Sequence, residues 1–466
     1  MSASSTIPAV CHENITNVAE IQLWFDNGEG LGWIPGIRRA SPFSRVPLTA
    51  VFWYIKHMKD ICLLNDSFPP IIDGVANAVL NYAKVLSRKG VGVSVVTPDH
   101  PEYDDSSFGF PVIRYPGMDM SSKIGYVVGN PFYADTMKII KAMDIGLLHS
   151  HCPMMSNVLA RELRAALDIP MILTYHTKFD IEIRKAIKSQ MISQLAIKAL
   201  IESVSSCDEL WVVSEGAGKS LKSLGYKGDY IVMNNGVDMR RHTAEPELIN
   251  KVTSAYNLPE GVPVFLFVGR LMWYKGLRII LDALAALRSQ DVDFRMVFVG
   301  KGQEEKEIIS YCSSRGLDNI CFFAGPVYDR EELAAWYSRA DLFLFPSTFD
   351  TNGLVVREAA ACSLGAVLVK DSCASEGVTN GVDGLLIDET AESLAACLMK
   401  TIDHPDIMQR IGKAASENLY LSWDDAVSRA IERYEIVIDN YRCGKYPKHK
   451  RPVEGYLSLF TKMMGV

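Results

Sequence analysis

No stretch of this chain reaches the roughly 18 to 20 consecutive apolar residues needed to cross a bilayer. The run "TAVFWYI" is far too short. A basic segment leading into an apolar core is also missing from the N-terminus, so no secretory signal is expected. The ten cysteines contain no C-x-x-C pair, which argues against a zinc ribbon or a redox dithiol. Cys62 and Cys321 sit inside apolar runs and read as buried thiols, so a reducing, cytoplasmic setting is expected. Positive charge is not in excess either. Lys and Arg number 48 against 55 Asp and Glu, a net charge of −7, and a nucleic-acid partner would require the opposite balance.

What is present is ample apolar material. The chain has 466 residues, of which 48% are hydrophobic, enough for two or three ordinary domains. Residues 1–57 mix turn signals such as "NGEGLGWIPG" with short apolar pieces and show no sustained period. They read as an extension of unknown role, and a chain beginning at Met58 is expected to fold without them. From Asp60 onward, short wholly apolar runs ("ICLLND", "VGVSVVTP", "FPVIRYP", "IGLLHSH", "PMILTYHT", "ELWVVSE", "DYIVMNNG") alternate with helical stretches such as "GVANAVLNYAKVLSRKG". That pattern predicts a parallel sheet covered on both faces.

The pattern restarts after a polar, proline-bearing seam near residues 240–262. "VPVFLFVGRL", "FRMVFVGKG", "ICFFAGP", "DLFLFPS" and "AVLVKD" are the next strands, and "GLRIILDALAALRSQ" has helical apolar spacing. The expectation is an α/β protein of two doubly wound, Rossmann-like domains, 58–240 and 241–420, facing across a cleft. A helix at 421–445 would cross back to the first domain. A basic tail, 446–466, is expected to pack or remain disordered rather than touch a membrane. Ligands of such sheets bind at the carboxyl ends of the strands.

Candidate chemistry therefore lies at those ends. Gly74 opens the first helix, either as a plain turn glycine or to let backbone approach a phosphate. His149 and His151 share one face of a strand end, and His176 ends the next strand. No acidic metal-activating motif accompanies them, so no metal is expected, and His176 reads as a polar group in the cleft. In "VGRLMWYKG", Arg270 and Lys275 are two fixed cations at a sheet mouth, suited to a diphosphate, or else a solvated loop pair. Gly269 in that loop, Gly300 and Gly302 in "VGKGQ", and Gly325 and Val327 in "FFAGPV" lie on the same edge. In "PSTFDTNGLVVREAAAC", Asp350 and Glu358 flank a helix N-terminus. They are either caps or ligands of hydroxyl groups. Ribose and sugar hydroxyls beside a diphosphate would use this whole edge.

From about residue 59 to 440 the ordered pieces "PPIIDGVA", "HSHCP", "TYHT", "VVSEGAGKSLKSLGY", "NNGVD", "VGRLMWYKG", "VGKGQ" and "PSTFDTNGLVVREAAA" resemble the family 4 glycosyltransferases of the GT-B fold. The resemblance implies a retaining, metal-independent enzyme using a UDP- or GDP-sugar, with a glycolipid or glycan acceptor and α linkage. It implies that Arg270 and Lys275 neutralise the diphosphate and that Glu358 binds ribose. Asp350 would reach a donor-sugar hydroxyl, and here it is one methylene shorter than the family's Glu. Backbone amides of Asn352, Gly353 and Leu354 would touch sugar and phosphate. Gly74 would lie against the phosphates and His176 near the sugar 6-hydroxyl. In "KFDIEIRKAIKSQMISQLAIKALIESV", residues 178–204, Lys178, Arg184, Lys185, Lys188 and Lys198 interleave with Ile and Leu. That is either a helix docking on an anionic membrane, as in similar phosphatidylinositol mannosyltransferases and diacylglycerol glucosyltransferases, or an ordinary surface helix. The alternatives to a transferase are a non-catalytic nucleotide-sugar binder and a GT-B epimerase.

Overall fold

The computed structural model describes residues 59–71, 73–100, 103–119 and 127–447. The expectations for 1–57 and for most of the tail lie outside them. The first domain contains β1 (Asp60–Leu64), β2 (Val93–Pro98), β3 (Val112–Tyr115), β4 (Gly117–Asp119), β5 (Val127–Gly129), β6 (Ile145–Ser150), β7 (Met171–Tyr175), β8 (Glu209–Val212) and β9 (Ile231–Val232). Seven of these form one sheet in the order β3-β2-β1-β6-β7-β8-β9. Every pairing in it is parallel.

The second domain contains β10 (Val264–Val268), β11 (Arg295–Val299), β12 (Cys321–Gly325), β13 (Leu342–Phe345), β14 (Ala366–Val369) and β15 (Leu385–Ile387). Their order is β12-β11-β10-β13-β14-β15, again all parallel. In each sheet the order reverses at the first strand: between β1 and β6, and between β10 and β13. A crevice opens outside the carboxyl ends at such a reversal.

The wholly apolar strands are buried because helices cover both faces. In the helix Leu277–Arg288, the residues Leu277, Ile280, Leu281, Leu284 and Leu287 repeat at helical spacing and are fully buried against the second sheet. Each such side chain contributes about 2 kcal/mol by leaving water. The helix Trp423–Arg442 belongs to the first domain by packing. Trp423, Val427, Ile431, Tyr434 and Ile438 join the core built on Ile61 and Tyr82.

The structure departs from the sequence reading in four places. The polar seam holds a helix, Pro246–Thr253, with Val252 and Tyr256 packed on the second core. The two-stranded hairpin β4–β5 and the short edge strand β15 have too few apolar residues to stand out. "DYIVMNNG" yields only the two-residue β9. Residues 178–204 are not one helix but two, Phe179–Ala186 and Gln190–Val204, with Ser189 at the second N-cap. Arg184 of the first and Lys198 of the second nonetheless line one cavity. Among the described residues no helix is long and apolar enough to cross a membrane, and each described cysteine is a free thiol.

Candidate active site

The reversal point of the second sheet collects the cations and carboxylates singled out above. The loop after β10 carries Arg270 and then a short 3₁₀ turn, Trp273–Lys275. Arg270 is exposed, its guanidinium 6.0 Å from the centre of the Tyr274 ring. Lys275 is only 8% exposed. Its Nζ donates to both oxygens of Asp350, each at 2.8 Å. Asp350 Oδ2 also accepts from Ser347 Oγ at 2.7 Å. The solvated-pair alternative for Lys275 is thereby excluded.

The capping alternative for Asp350 is excluded as well. The helix Leu354–Ala361 has Gly353 at its N-cap, in the left-handed region with φ 58°, and no side chain caps it. A Cβ at Gly353 would come within 2.9 Å of Ala374 Cα, so the position demands glycine twice over. The Val356 N–H donates to the Gly353 carbonyl at 2.9 Å, and the N–H groups of Leu354 and Val355 precede the first i→i−4 bonds of the helix. Glu358 lies further along the same helix, 8% exposed. Its Oε1 accepts from Arg330 Nη1 at 3.0 Å and its Oε2 from Tyr337 Oη at 3.2 Å. Burial raises its carboxyl above the ordinary range, against the opposing pull of Arg330.

The glycines divide by cause. A Cβ at Gly300 would sit 1.9 Å from the Gly269 carbonyl oxygen, and one at Gly302 2.0 Å from that of Leu271. Close packing of the β10 and β11 loops alone accounts for both, so neither needs a ligand to explain it. Val327 is half-buried beside the second core. Gly74 is the first residue of its helix and open to solvent. Asp73, which sequence reasoning passed over, caps that helix by accepting from Val75 and Ala76 N–H at 2.8 Å.

The first domain brings the three histidines together at the ends of β6 and β7. His149 is held on both ring nitrogens, by Tyr434 Oη at 2.6 Å and Thr174 Oγ1 at 2.7 Å. Its role is structural. His151 Nδ1 and His176 Nε2 are 3.0 Å apart, and His176 Nδ1 lies 3.4 Å from Asn235 Nδ2. Burial lowers all three pKa values, that of His176 to about 3, so the cluster is neutral. Among the described residues no group of three His, Cys, Asp or Glu is placed to hold a metal.

Contacts across the cleft join the halves. In the amide orientation that satisfies both partners, Asn352 donates to the Val213 carbonyl at 3.1 Å and accepts from Asn235 N–H at 3.2 Å. Glu376 of the second domain accepts from backbone N–H groups of the first. Arg330, Tyr337, Ser347 and Glu376 were not singled out in the sequence. Arg330, in "YDREEL" just after a strand end, had a positional signal. Ser347, in "PSTFD" just after β13, had the same signal, and Glu376 had none.

Two Rossmann-like domains meeting at their carboxyl edges, with cations, carboxylates and an uncapped helix end at the junction, define the GT-B class. Comparison with known proteins agrees. The family described as "Glycosyl transferases group 1" matches residues 250–418, and "Glycosyltransferase Family 4" matches 72–241. The chain belongs to the family 4 glycosyltransferases of the GT-B fold and is an enzyme of that family. It is 24% identical to an uncharacterized glycosyltransferase of Methanocaldococcus jannaschii, over 81% of this chain and 98% of that one. It is 22% identical to the alpha-monoglucosyldiacylglycerol synthase of Streptococcus pneumoniae, over 82% and 86%. The D-inositol 3-phosphate glycosyltransferase of Arthrobacter sp. is 30% identical over 47% of this chain, a match spanning 52% of that relative. Among solved structures, sucrose-phosphate synthase from Thermosynechococcus elongatus superposes with a TM-score of 0.65 at 20% identity, covering 82% and 99% of the two chains. Anabaena HepE in complex with UDP-glucose gives 0.63 at 18% identity, covering 81% and 99%.

Proposed function

We propose that the enzyme transfers a hexose from a UDP- or GDP-sugar to a glycolipid or glycan acceptor, with retention and α linkage. The observation that carries this reading is the pairing of buried Lys275, in the same β10 loop as Arg270, with Asp350, which leads into the uncapped helix that bears Glu358. Arg270, Lys275 and the helix N–H groups, including those of Gly353 and Leu354, neutralise the diphosphate. Glu358 accepts from ribose hydroxyls. Charge builds on the diphosphate as the bond from the anomeric carbon to its oxygen breaks, and fixed cations there stabilise that state. The electron pair leaves with the phosphate oxygen. The acceptor oxygen bonds to the anomeric carbon from the same face and gives its proton to the departing phosphate. No protein nucleophile is needed, and the enzyme mainly orients and neutralises.

Relatives support the substrate class. Matched proteins include an alpha-monoglucosyldiacylglycerol synthase and a GDP-mannose-dependent alpha-mannosyltransferase. A membrane-bound acceptor also suits the outer face of the helix Gln190–Val204. Met191, Ile192 and Leu195 of that helix are exposed, and its Lys198 lines, with Arg161, Arg184 and Glu202, a cavity of about 860 Å³. That surface would hold a cytoplasmic enzyme peripherally on an anionic leaflet.

The test is a panel of nucleotide sugars, read out by released nucleoside diphosphate, with and without vesicles of anionic lipid and lipid extract. Release from one UDP- or GDP-hexose that rises with the extract is the expected result. Activity should persist in EDTA, because the two cations do the neutralising. Release from no donor under any condition would overturn the assignment.

A further inference from the structure

We propose that Asp350 is the resident counter-ion of Lys275: it holds the ammonium in the cleft when no diphosphate is bound, competes with the diphosphate for it, and so sets how readily the nucleoside diphosphate product leaves. The inference rests on the reading of this cleft as a nucleoside-diphosphate site. It assigns Asp350 a role different from holding a sugar hydroxyl.

Three observations carry it. The first is the count of protons and lone pairs. Lys275 Nζ has three protons, and the Asp350 oxygens, both at 2.8 Å, engage two of them. Oδ2 accepts from Ser347 as well, at 2.7 Å, and is then saturated, while Oδ1 keeps one acceptor position. The pair has turned most of its bonding capacity inward, leaving one N–H for a phosphate and one lone pair for any hydroxyl.

The second observation is burial. Lys275 is 8% exposed, with its ammonium 5.6 Å from the Phe345 ring centre and 5.8 Å from that of Tyr274. A lysine removed from water in this way requires a compensating charge. Asp350 supplies it in the resting enzyme, and the diphosphate would supply it in the complex.

The third is rigidity. A Cβ at Gly276, directly after Lys275, would lie 2.2 Å from the Pro346 carbonyl oxygen. The loops after β10 and β13 are thus in backbone contact at the reversal point. The backbones that carry Lys275 and Asp350 are held side by side, so an ammonium turned toward a phosphate stays near the carboxylate. It must be shared. Sharing places a carboxylate near the bound diphosphate, where the repulsion weakens product binding.

The experiment measures the affinity of UDP and GDP, and of the intact donor, for the full-length enzyme by titration calorimetry, alongside steady-state turnover. Asp350→Asn is expected to tighten nucleoside diphosphate and donor together, by about tenfold, roughly 1.4 kcal/mol. Donor KM should fall and kcat should fall with it as product is retained. Removal of the carboxylate from a Lys275→Met background, by comparing Lys275→Met with Lys275→Met/Asp350→Asn, should tighten nucleoside diphosphate again. That comparison stands even if Asp350→Asn alone misfolds, since it leaves no unpaired buried cation. Unchanged nucleoside diphosphate affinity with weakened donor would overturn the proposal in favour of a sugar-hydroxyl ligand. Weakened affinity for both would overturn it in favour of a purely structural role. Absence of any nucleoside diphosphate binding by the wild type would overturn the parent reading and this inference with it.

Discussion

Glu376 reaches across the cleft to Gly216: its Oε1 accepts from the Gly216 N–H at 2.5 Å, while Oε2 accepts from that of Glu215 at 2.7 Å. The acceptor belongs to the second domain. The donors open the helix Glu215–Ser223 of the first. A carboxylate at a helix N-terminus is favoured by both its hydrogen bonds and the helix dipole. The site is fitted closely, since a Cβ at Gly216 would come 2.6 Å from Cys373 Sγ and 2.9 Å from Glu376 Oε1. Glu376→Ala should therefore loosen the closed arrangement, losing roughly 1.5 to 3 kcal/mol of charge-assisted bonding. Small-angle X-ray scattering should report a larger radius of gyration, and donor KM should rise. An unaltered scattering profile with unaltered KM would show that the contact does not hold the halves together.

Arg270 and Lys275 should separate in their effects on stability. Arg270 is exposed, so Arg270→Ala should cut transfer by at least about a hundredfold, roughly 3 kcal/mol of charge stabilisation, and leave the Tm unmoved. Lys275→Ala should cut transfer similarly and also lower the Tm, because it strands the Asp350 carboxylate at a cost of up to about 3 kcal/mol. Paired thermal melts and transfer assays decide this. Equal melting of the two variants would contradict the buried-pair geometry.

The histidine cluster predicts acid sensitivity. His176 is held neutral to about pH 3 by burial, against an unfolded value near 6.5. The unfolded chain therefore binds more protons than the folded one between those values. Stability is full above about pH 6.5 and falls as pH drops toward 3, by about 1.4 kcal/mol per pH unit for each such group. His149 and His151 act in the same direction. Chemical denaturation at pH 7, 6 and 5 should show the decline, and His176→Asn should flatten it by about one proton. A slope identical in variant and wild type would mean that His176 is charged in the fold.

Tyr434→Phe should destabilise the junction between the helix Trp423–Arg442 and the first sheet. The hydroxyl is 2.6 Å from His149 Nδ1, and the tyrosine ring stacks on Trp211 with centroids 5.3 Å apart. Phe keeps the stacking and leaves a buried ring nitrogen unpaired, a cost of about 1 to 3 kcal/mol. The denaturation midpoint should fall with no change in donor affinity. A fall in donor affinity would place this helix in direct contact with the substrate.

The alternation of apolar runs with helical spacing determined the two parallel sheets, because burial on both faces leaves a purely local imprint on each strand. The same local logic put Arg270, Lys275 and Glu358 on one sheet edge, since each follows a strand by a short loop. What the sequence left undecided was which of these groups meet. Asp350 stands beside a helix start and so resembles a cap, yet it pairs with a lysine 75 positions away. Glu376 bonds to an amide 160 positions away, and His149 to a hydroxyl 285 positions away. Gly300 reads as a phosphate-loop glycine, yet the neighbouring carbonyl of Gly269 is what excludes a side chain there. Such contacts form between loops at the ends of adjacent strands or across the cleft. Their partners have no fixed spacing along the chain, so only strand order and domain closure decided them.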